Sequence, residues 1–165
     1  MQIVKLFFLS VLILSAVVLG ISFLMPSHVR ISRATDIYAP ASQISDSIGN
    51  LETWKNWNAL LQDSTLINAR FDSMLIVDKG LKVSVEHKSA DSVTVSWLQN
   101  ETQTHSGFNI IRSEREVTIV QWYFDFDLKW YPWQKFASII FDKQLGPPME
   151  KSLASLKESI EKIKQ

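Results

Sequence analysis

The sequence predicts an α+β chain: a run of antiparallel strands closed by a long C-terminal helix, preceded by one transmembrane helix. Three observations predict it. Leu6–Met25 reads LFFLSVLILSAVVLGISFLM, twenty residues without a charge, ended by Pro26. Between Ile67 and Trp130 the apolar residues recur with period two. From Met149 onward they step at helical intervals. The chain is therefore divided into an anchor, residues 1–27, and one folded domain, residues 28–165.

A helix rises about 1.5 Å per residue, so the apolar run makes a rod about 30 Å long, the thickness of a bilayer's hydrocarbon core. It is longer than the stretch of about 7–15 residues in a secretory signal. Gly20-Ile21-Ser22 offers a small-x-small match, but large apolar residues follow it. A retained single-pass membrane helix, residues 6–25, is the expectation, and a cleaved signal is the alternative. Lys5 and the α-amine flank one end and Arg30 and Arg33 the other, so the positive-inside count is close to balanced. The short tail with its adjacent Lys resembles a signal-anchor, which puts the domain on the extracytoplasmic side.

The remaining 140 or so residues have the usual size of one domain. Lys+Arg (17) balances Asp+Glu (17) without a basic stripe, so nucleic acid is not an expected partner. The chain has no Cys, which excludes disulfides, thiol catalysis and Cys-based metal sites. His28, His87 and His105 are isolated and show no metal-ligand spacing, so no metal or other cofactor is expected. No Gly-x-Ser-x-Gly elbow accompanies any serine. Six Trp and nine Phe are many for this length, and such rings fill cores, line pockets and populate membrane interfaces.

Along the domain, His28–Tyr38 alternates as a strand with Val29, Ile31 and Ile37 on its mainly apolar side. Pro40 ends it and, with Ala41 and Ser42, opens a helix carrying Ile44, Ile48 and Leu51 at helical spacing. Gly49-Asn50 interrupts, and a second short helix is expected over Glu52–Leu61, with Trp54 and Trp57 on one face. Arg70–Asp78 reads as one strand, followed by a Lys79-Gly80 turn. Val83 and Val85, then Val93, Val95 and Trp97, alternate with polar residues on either side of a turn at Ser89–Ser92. A turn at Gln99-Asn100-Glu101 leads to Thr104–Arg112, with Ser106, Phe108 and Ile110 on one side, and Ser113–Glu116 turns the chain again. In the last strand Val120, Trp122, Phe124, Phe126, Leu128 and Trp130 share one face. A short helix is expected over Trp133–Phe141, and Gly146-Pro147-Pro148 signals the start of a separate final helix. Met149, Leu153, Leu156, Ile160 and Ile163 form its apolar stripe, and Lys157, Lys162 and Lys164 favour its C-terminal dipole.

This order over residues 28–164 resembles the helix-grip fold of the START-like superfamily, the polyketide cyclase/dehydrase and lipid-transport group. The resemblance rests on the opening strand running into Ala39-Pro40-Ala41-Ser42-Gln43-Ile44, on Trp54-Lys55-Asn56-Trp57 after the helix break, and on the closing helix Met149–Ile163. Anchored members whose membrane helix ends in Leu-Pro-Ser look similar to Leu24-Met25-Pro26-Ser27, which carries one inserted or exchanged residue. The resemblance implies a curved antiparallel sheet wrapped around the long C-terminal helix, with a cavity between them. In the wider family that cavity holds lipids, sterols, polyketides or other apolar ligands, in some members with cyclisation.

The candidate cavity residues are Trp54, Trp57, Val83, Val85, Val95, Trp97, Phe108, Ile110, Trp122, Phe124, Phe126, Met149, Leu153 and Leu156. They line an apolar cavity or simply fill the core; Trp54 and Trp57 either close its mouth or pack the short helix on the sheet. The expected ligand is a hydrophobic small molecule or lipid. A cyclase/dehydratase enzyme and a solid-core interaction module are the alternatives. His87 can share the Val83–Val85 side by simple alternation, but Glu86 then points away from it, and His87 reads as a solvated or satisfied histidine rather than an acid–base group. Asp125 and Asp127 read as a solvent-facing pair rather than a catalytic one. Trp130, Tyr131 and Trp133 form an aromatic knot that serves loop packing or touches the membrane interface.

Overall fold

The computed structural model describes residues 2–62, 69–78, 80–113 and 117–162. The first helix, α1 (Gln2–Leu24), is long and apolar enough to cross a membrane, and nearly all of it is exposed. The domain follows as β1 (His28–Ile37), α2 (Ala41–Gly49) and a 3-10 turn (Leu51–Thr53). Next come α3 (Trp54–Trp57) and a second 3-10 turn (Ala59–Leu61). Six strands complete the sheet: β2 (Arg70–Phe71), β3 (Leu75–Asp78), β4 (Leu81–Lys88), β5 (Ser92–Gln99), β6 (Thr102–Arg112) and β7 (Thr118–Asp127). Helix α4 (Pro132–Glu161) closes the chain. The strands form one curved antiparallel sheet ordered β1-β7-β6-β5-β4-β3-β2.

Local sequence explains most of these boundaries. Pro40 caps α2 with an extended backbone and its carbonyl accepts from the Ile44 amide. Asn50 ends α2, and its side chain then caps the next turn by accepting from the Glu52 amide at 3.0 Å. Asn58 repeats the device on the Leu60 amide at 3.0 Å. The predicted Glu52–Leu61 helix is thus three short turns, because two Asn side chains compete with helix continuation. Asn100 and Glu101 have φ of 47° and 68°, the left-handed pair that a tight β5–β6 hairpin requires.

Four readings of the sequence are corrected. Arg70–Asp78 is not one strand: Asp72 accepts from the Ser73 amide at 2.6 Å, folding β2 back onto β3 as a small hairpin. A register shift between Val85 and His87 removes His87 from the inward face, and it is exposed. The last strand stops at Asp127, so Leu128 and Trp130 leave its inward face, and Trp130 is 63% exposed. Finally, α4 is one helix of 30 residues that runs through Pro147 and Pro148 rather than starting there. The prolines remove two amide donors. Packing on both sides of the break holds the axis: Phe141 on Phe126 at 4.8 Å before it, and buried Met149 and Leu153 after it. The expected features at Ile67, Lys79, Glu114–Glu116, Ile163 and Lys164 lie outside the described residues.

Helix α4 lies along β1 in the same direction, so its two halves face the two ends of the strand. Lys135 meets Ser27, Arg33 meets Asp142 and Glu150, Lys157 meets Asp36, and Glu161 accepts from the Tyr38 amide. Arg33 lies over Gly146, where a larger residue would collide with its guanidinium.

Candidate functional site

Strand alternation delivers one apolar face. Register sets Val83 opposite Trp97, Phe108 opposite Trp122, Ser106 opposite Phe124 and Ile110 opposite Val120. Over this face lie Met149, Leu153, Leu156 and Ile160 of α4, on the stripe that helical spacing predicts. Trp54 and Trp57 enter from the side, 0% and 2% exposed. Thirteen of the fourteen candidate residues are buried in one cluster; Phe126, at the end near α1, is half-buried against it.

The rings touch one another. Trp54 and Trp57 are 5.3 Å apart between centroids, Trp54 and Phe108 6.0 Å, and Trp97 and Phe124 5.5 Å. Phe108 stacks on Trp122 at 5.0 Å, and Trp122 reaches Phe124 at 5.4 Å. The chain continues through Phe126 to Phe141. Trp54 and Trp57 therefore pack the short helix on the sheet. A separate half-open cleft of about 460 Å³ is lined by Ala39, Pro40, Ala41, Ser42, Arg112, Ser113, Val117 and Thr118, and by none of the predicted cavity residues.

Polar groups within the grip are few and mostly matched. The indole N–H of Trp54 donates to the Ile48 carbonyl at 2.7 Å, and that of Trp97 to Ser106 Oγ at 2.9 Å. Trp57 donates to Thr53 Oγ1 at 3.3 Å. Ser152 Oγ donates to the Pro148 carbonyl and accepts from the Ala59 amide, tying α4 to the turn after α3. Among the described residues, two buried donors have no partner: Trp122 Nε1 and Asn58 Nδ2. Asn58 adjoins Trp57, whose ring meets Trp122 at 6.3 Å. Such orphan donors are uncommon in interiors. Asn58, Ser106 and Ser152 were not predicted as site residues. Ser106 was visible as a polar residue on the same strand face as Phe108 and Ile110; the other two sit in a turn and a helix whose packing partners are distant in sequence.

Among the described residues, the buried polar side chains of the domain are Ser, Thr, Asn and a single Lys, with no carboxylate or imidazole. No group of His, Asp and Glu residues suited to a metal ion occurs among them either. One carboxylate cluster lies on the opposite, wet face. There Arg30 grips Asp125 with two bonds of 2.6 and 2.7 Å and stacks 4.2 Å above the Tyr123 ring. His28 Nδ1 lies 2.9 Å from Asp127. The Arg30 hydrogen bond holds the Asp125 carboxyl below its usual range, and the Asp127 bond raises His28. This is a neutralised surface network rather than an acid–base pair.

No protein-family model and no curated protein matches the sequence. Solved structures match the fold. A START superfamily protein from Mycobacterium smegmatis superposes with a TM-score of 0.57 at 15% identity, over 81% of this chain and 98% of that one. A point mutant of norcoclaurine synthase from Thalictrum flavum, in complex with a transition-state analogue, gives 0.60 at 10% identity, over 84% and 97%. A protein of the dynemicin biosynthetic locus gives 0.55 at 14% identity over 80% of this chain, which spans only 47% of that protein's length. The chain has the START-like helix-grip fold.

Proposed function

We propose that the chain is a membrane-anchored START-like protein that takes up a hydrophobic small molecule or lipid between the sheet and α4. Residues 1–27 are the anchor and residues 28–165 the binding domain, on the extracytoplasmic side. The candidate residues from Trp54 to Leu156 form the apolar wall, and contact with it supplies affinity at about 25 cal/mol per Å² buried. The observation that carries this reading is the pair of buried, unpartnered donors, Trp122 Nε1 and Asn58 Nδ2, inside a mostly apolar grip. They suit a ligand with one carbonyl, ester or hydroxyl oxygen at the end of an apolar body. Uptake requires the rings to part, since they touch one another in the closed grip.

That ring contact also favours a second reading, a solid-core interaction module without a ligand. Native mass spectrometry of the full chain, released from detergent after purification from its host, separates the two. A reproducible apolar adduct that is lost in Phe124→Arg and kept in Asp125→Asn supports the ligand reading. The same adduct in both variants rejects the cavity, and a bare mass throughout favours the solid core. Circular dichroism checks that Phe124→Arg folds, because an unpaired buried Arg is costly.

A further inference from the structure

The first half of α4 has two apolar sides and only one is covered. Its inner side sets Phe141 and Leu145, both half-buried, against the core. Its outer side carries Trp133, Phe136, Ile139 and Ile140, which are 67%, 37%, 61% and 51% exposed. Trp130, 63% exposed, extends the same apolar surface just ahead of the helix. Ordinary surface helices keep their outer face polar, so a contiguous exposed stripe of this kind marks a contact surface.

Its position names the partner. The Trp130 carbonyl accepts from Ser22 Oγ of α1 at 3.5 Å. Lys135, only 5% exposed, donates to the Met25 carbonyl at 2.7 Å and to Ser27 Oγ at 3.1 Å. The buried Lys135 side chain, with no carboxylate partner among the described residues, thus bonds to the linker and holds the start of α4 against the end of α1. The stripe therefore begins where α1 emerges from its apolar span. From Trp133 to Ile140 the helix advances about 10 Å, so the exposed apolar face is about two turns long. The residue types also fit. Trp130, Tyr131 and Trp133 form a stack with centroids 4.9 and 4.8 Å apart, and Trp and Tyr favour the headgroup layer. Lys129 and Lys143 flank the stripe, both exposed and neither in an ion pair among the described residues.

We propose that this face, Trp130 with Trp133, Phe136, Ile139 and Ile140, docks into the interfacial layer of the bilayer that α1 spans, with Lys135 as the latch that sets the docking angle. The proposal rests on α1 being a retained membrane helix. It goes beyond the anchor by giving the domain a fixed orientation, with the half-buried Phe126–Phe141 end of the grip towards the lipid.

The tryptophans supply the test. α1 contains none, four are buried in the core, and Trp130 and Trp133 are exposed. The full chain is placed in nanodiscs of phosphatidylcholine and phosphatidylglycerol, with the phosphatidylcholine brominated near the top of its acyl chains. The expected result is quenching of part of the tryptophan emission, lost in a Trp130→Phe/Trp133→Phe double variant and reduced in Ile140→Glu, with unchanged circular dichroism. Unquenched emission from a chain that resists alkaline carbonate extraction overturns the docking while leaving the anchor standing. So does finding two copies per disc whose association, rather than lipid contact, is lost in Ile140→Glu. A chain released by carbonate overturns the anchor itself.

Discussion

The orphan indole of Trp122 allows a prediction in which one substitution type has unequal consequences at two sites. Trp122→Phe removes an N–H that is fully buried and unpartnered. Relieving an unsatisfied donor returns about 1–3 kcal/mol. Losing the outer half of the indole, which touches Phe108, Phe124 and Trp57, costs part of the 3–5 kcal/mol of a full truncation, about 1–2 kcal/mol. The two nearly cancel, so the ligand-free domain should change stability by less than about 1 kcal/mol. Trp97→Phe makes the same volume change but breaks a 2.9 Å bond and strips the buried Ser106 hydroxyl of its donor. There the terms add, to about 2–4 kcal/mol of destabilisation. Urea unfolding of the full chain in mild detergent, followed by near-ultraviolet circular dichroism, measures both. Ligand occupancy separates them the other way. A ligand oxygen accepting from Trp122 loses about 1–1.5 kcal/mol in Trp122→Phe, roughly five- to tenfold in affinity. Equal destabilisation in the two variants, with occupancy unchanged in Trp122→Phe, would refute the reasoning.

Three further predictions concern the scaffold. At Glu101 the φ of 68° strains a side-chain-bearing residue, so Glu101→Gly should stabilise by about 1 kcal/mol and raise the thermal midpoint, whereas Glu101→Val should lower it. At the exposed surface, hydrogen bonds from Arg30 and Lys157 depress Asp125 and Asp36 respectively, so their contribution is present above the unfolded carboxyl pKa of 3.8 and is lost as pH falls through the lower folded values. Acid unfolding below that point should be blunted in an Asp36→Asn/Asp125→Asn variant, which should be less stable than the parent at neutral pH. His28 runs in the opposite sense: raised by Asp127, it stabilises below 6.5 and loses that contribution as pH climbs through its higher folded value. A pH series of melting curves on His28→Gln should lack that alkaline-side decline.

Much of the wall of the candidate site was legible because strand faces are written with period two. Trp122 and Phe124 point inward for the same reason that Tyr123 and Asp125 point outward, and no distant contact is needed to see it. The stripe Met149, Leu153, Leu156 and Ile160 was legible by the same logic at helical spacing. The break at Gly49-Asn50 showed itself through residues whose side chains act on their own backbone. Inference failed where a local signal met a remote partner. Pro147-Pro148 reads as a helix start, yet α4 passes through it because Phe126 holds the segment before the prolines and the core holds the one after. Alternation carries Trp130 inward by arithmetic, but β7 ends at Asp127 and the ring emerges.

By itself, then, the sequence determined the elements whose pattern is local: an apolar first helix, a meander with one greasy face, and a closing helix with a matching stripe. Only the tertiary structure decided which of those surfaces meet. It brought Trp54 and Trp57 against strands more than fifty residues away, left one indole of four core tryptophans without an acceptor, and turned an aromatic helix face outward beside α1. The reason is physical. Periodicity reports which side of an element avoids water, while the partner that keeps the water out is chosen by packing between segments that the pattern along the chain does not connect.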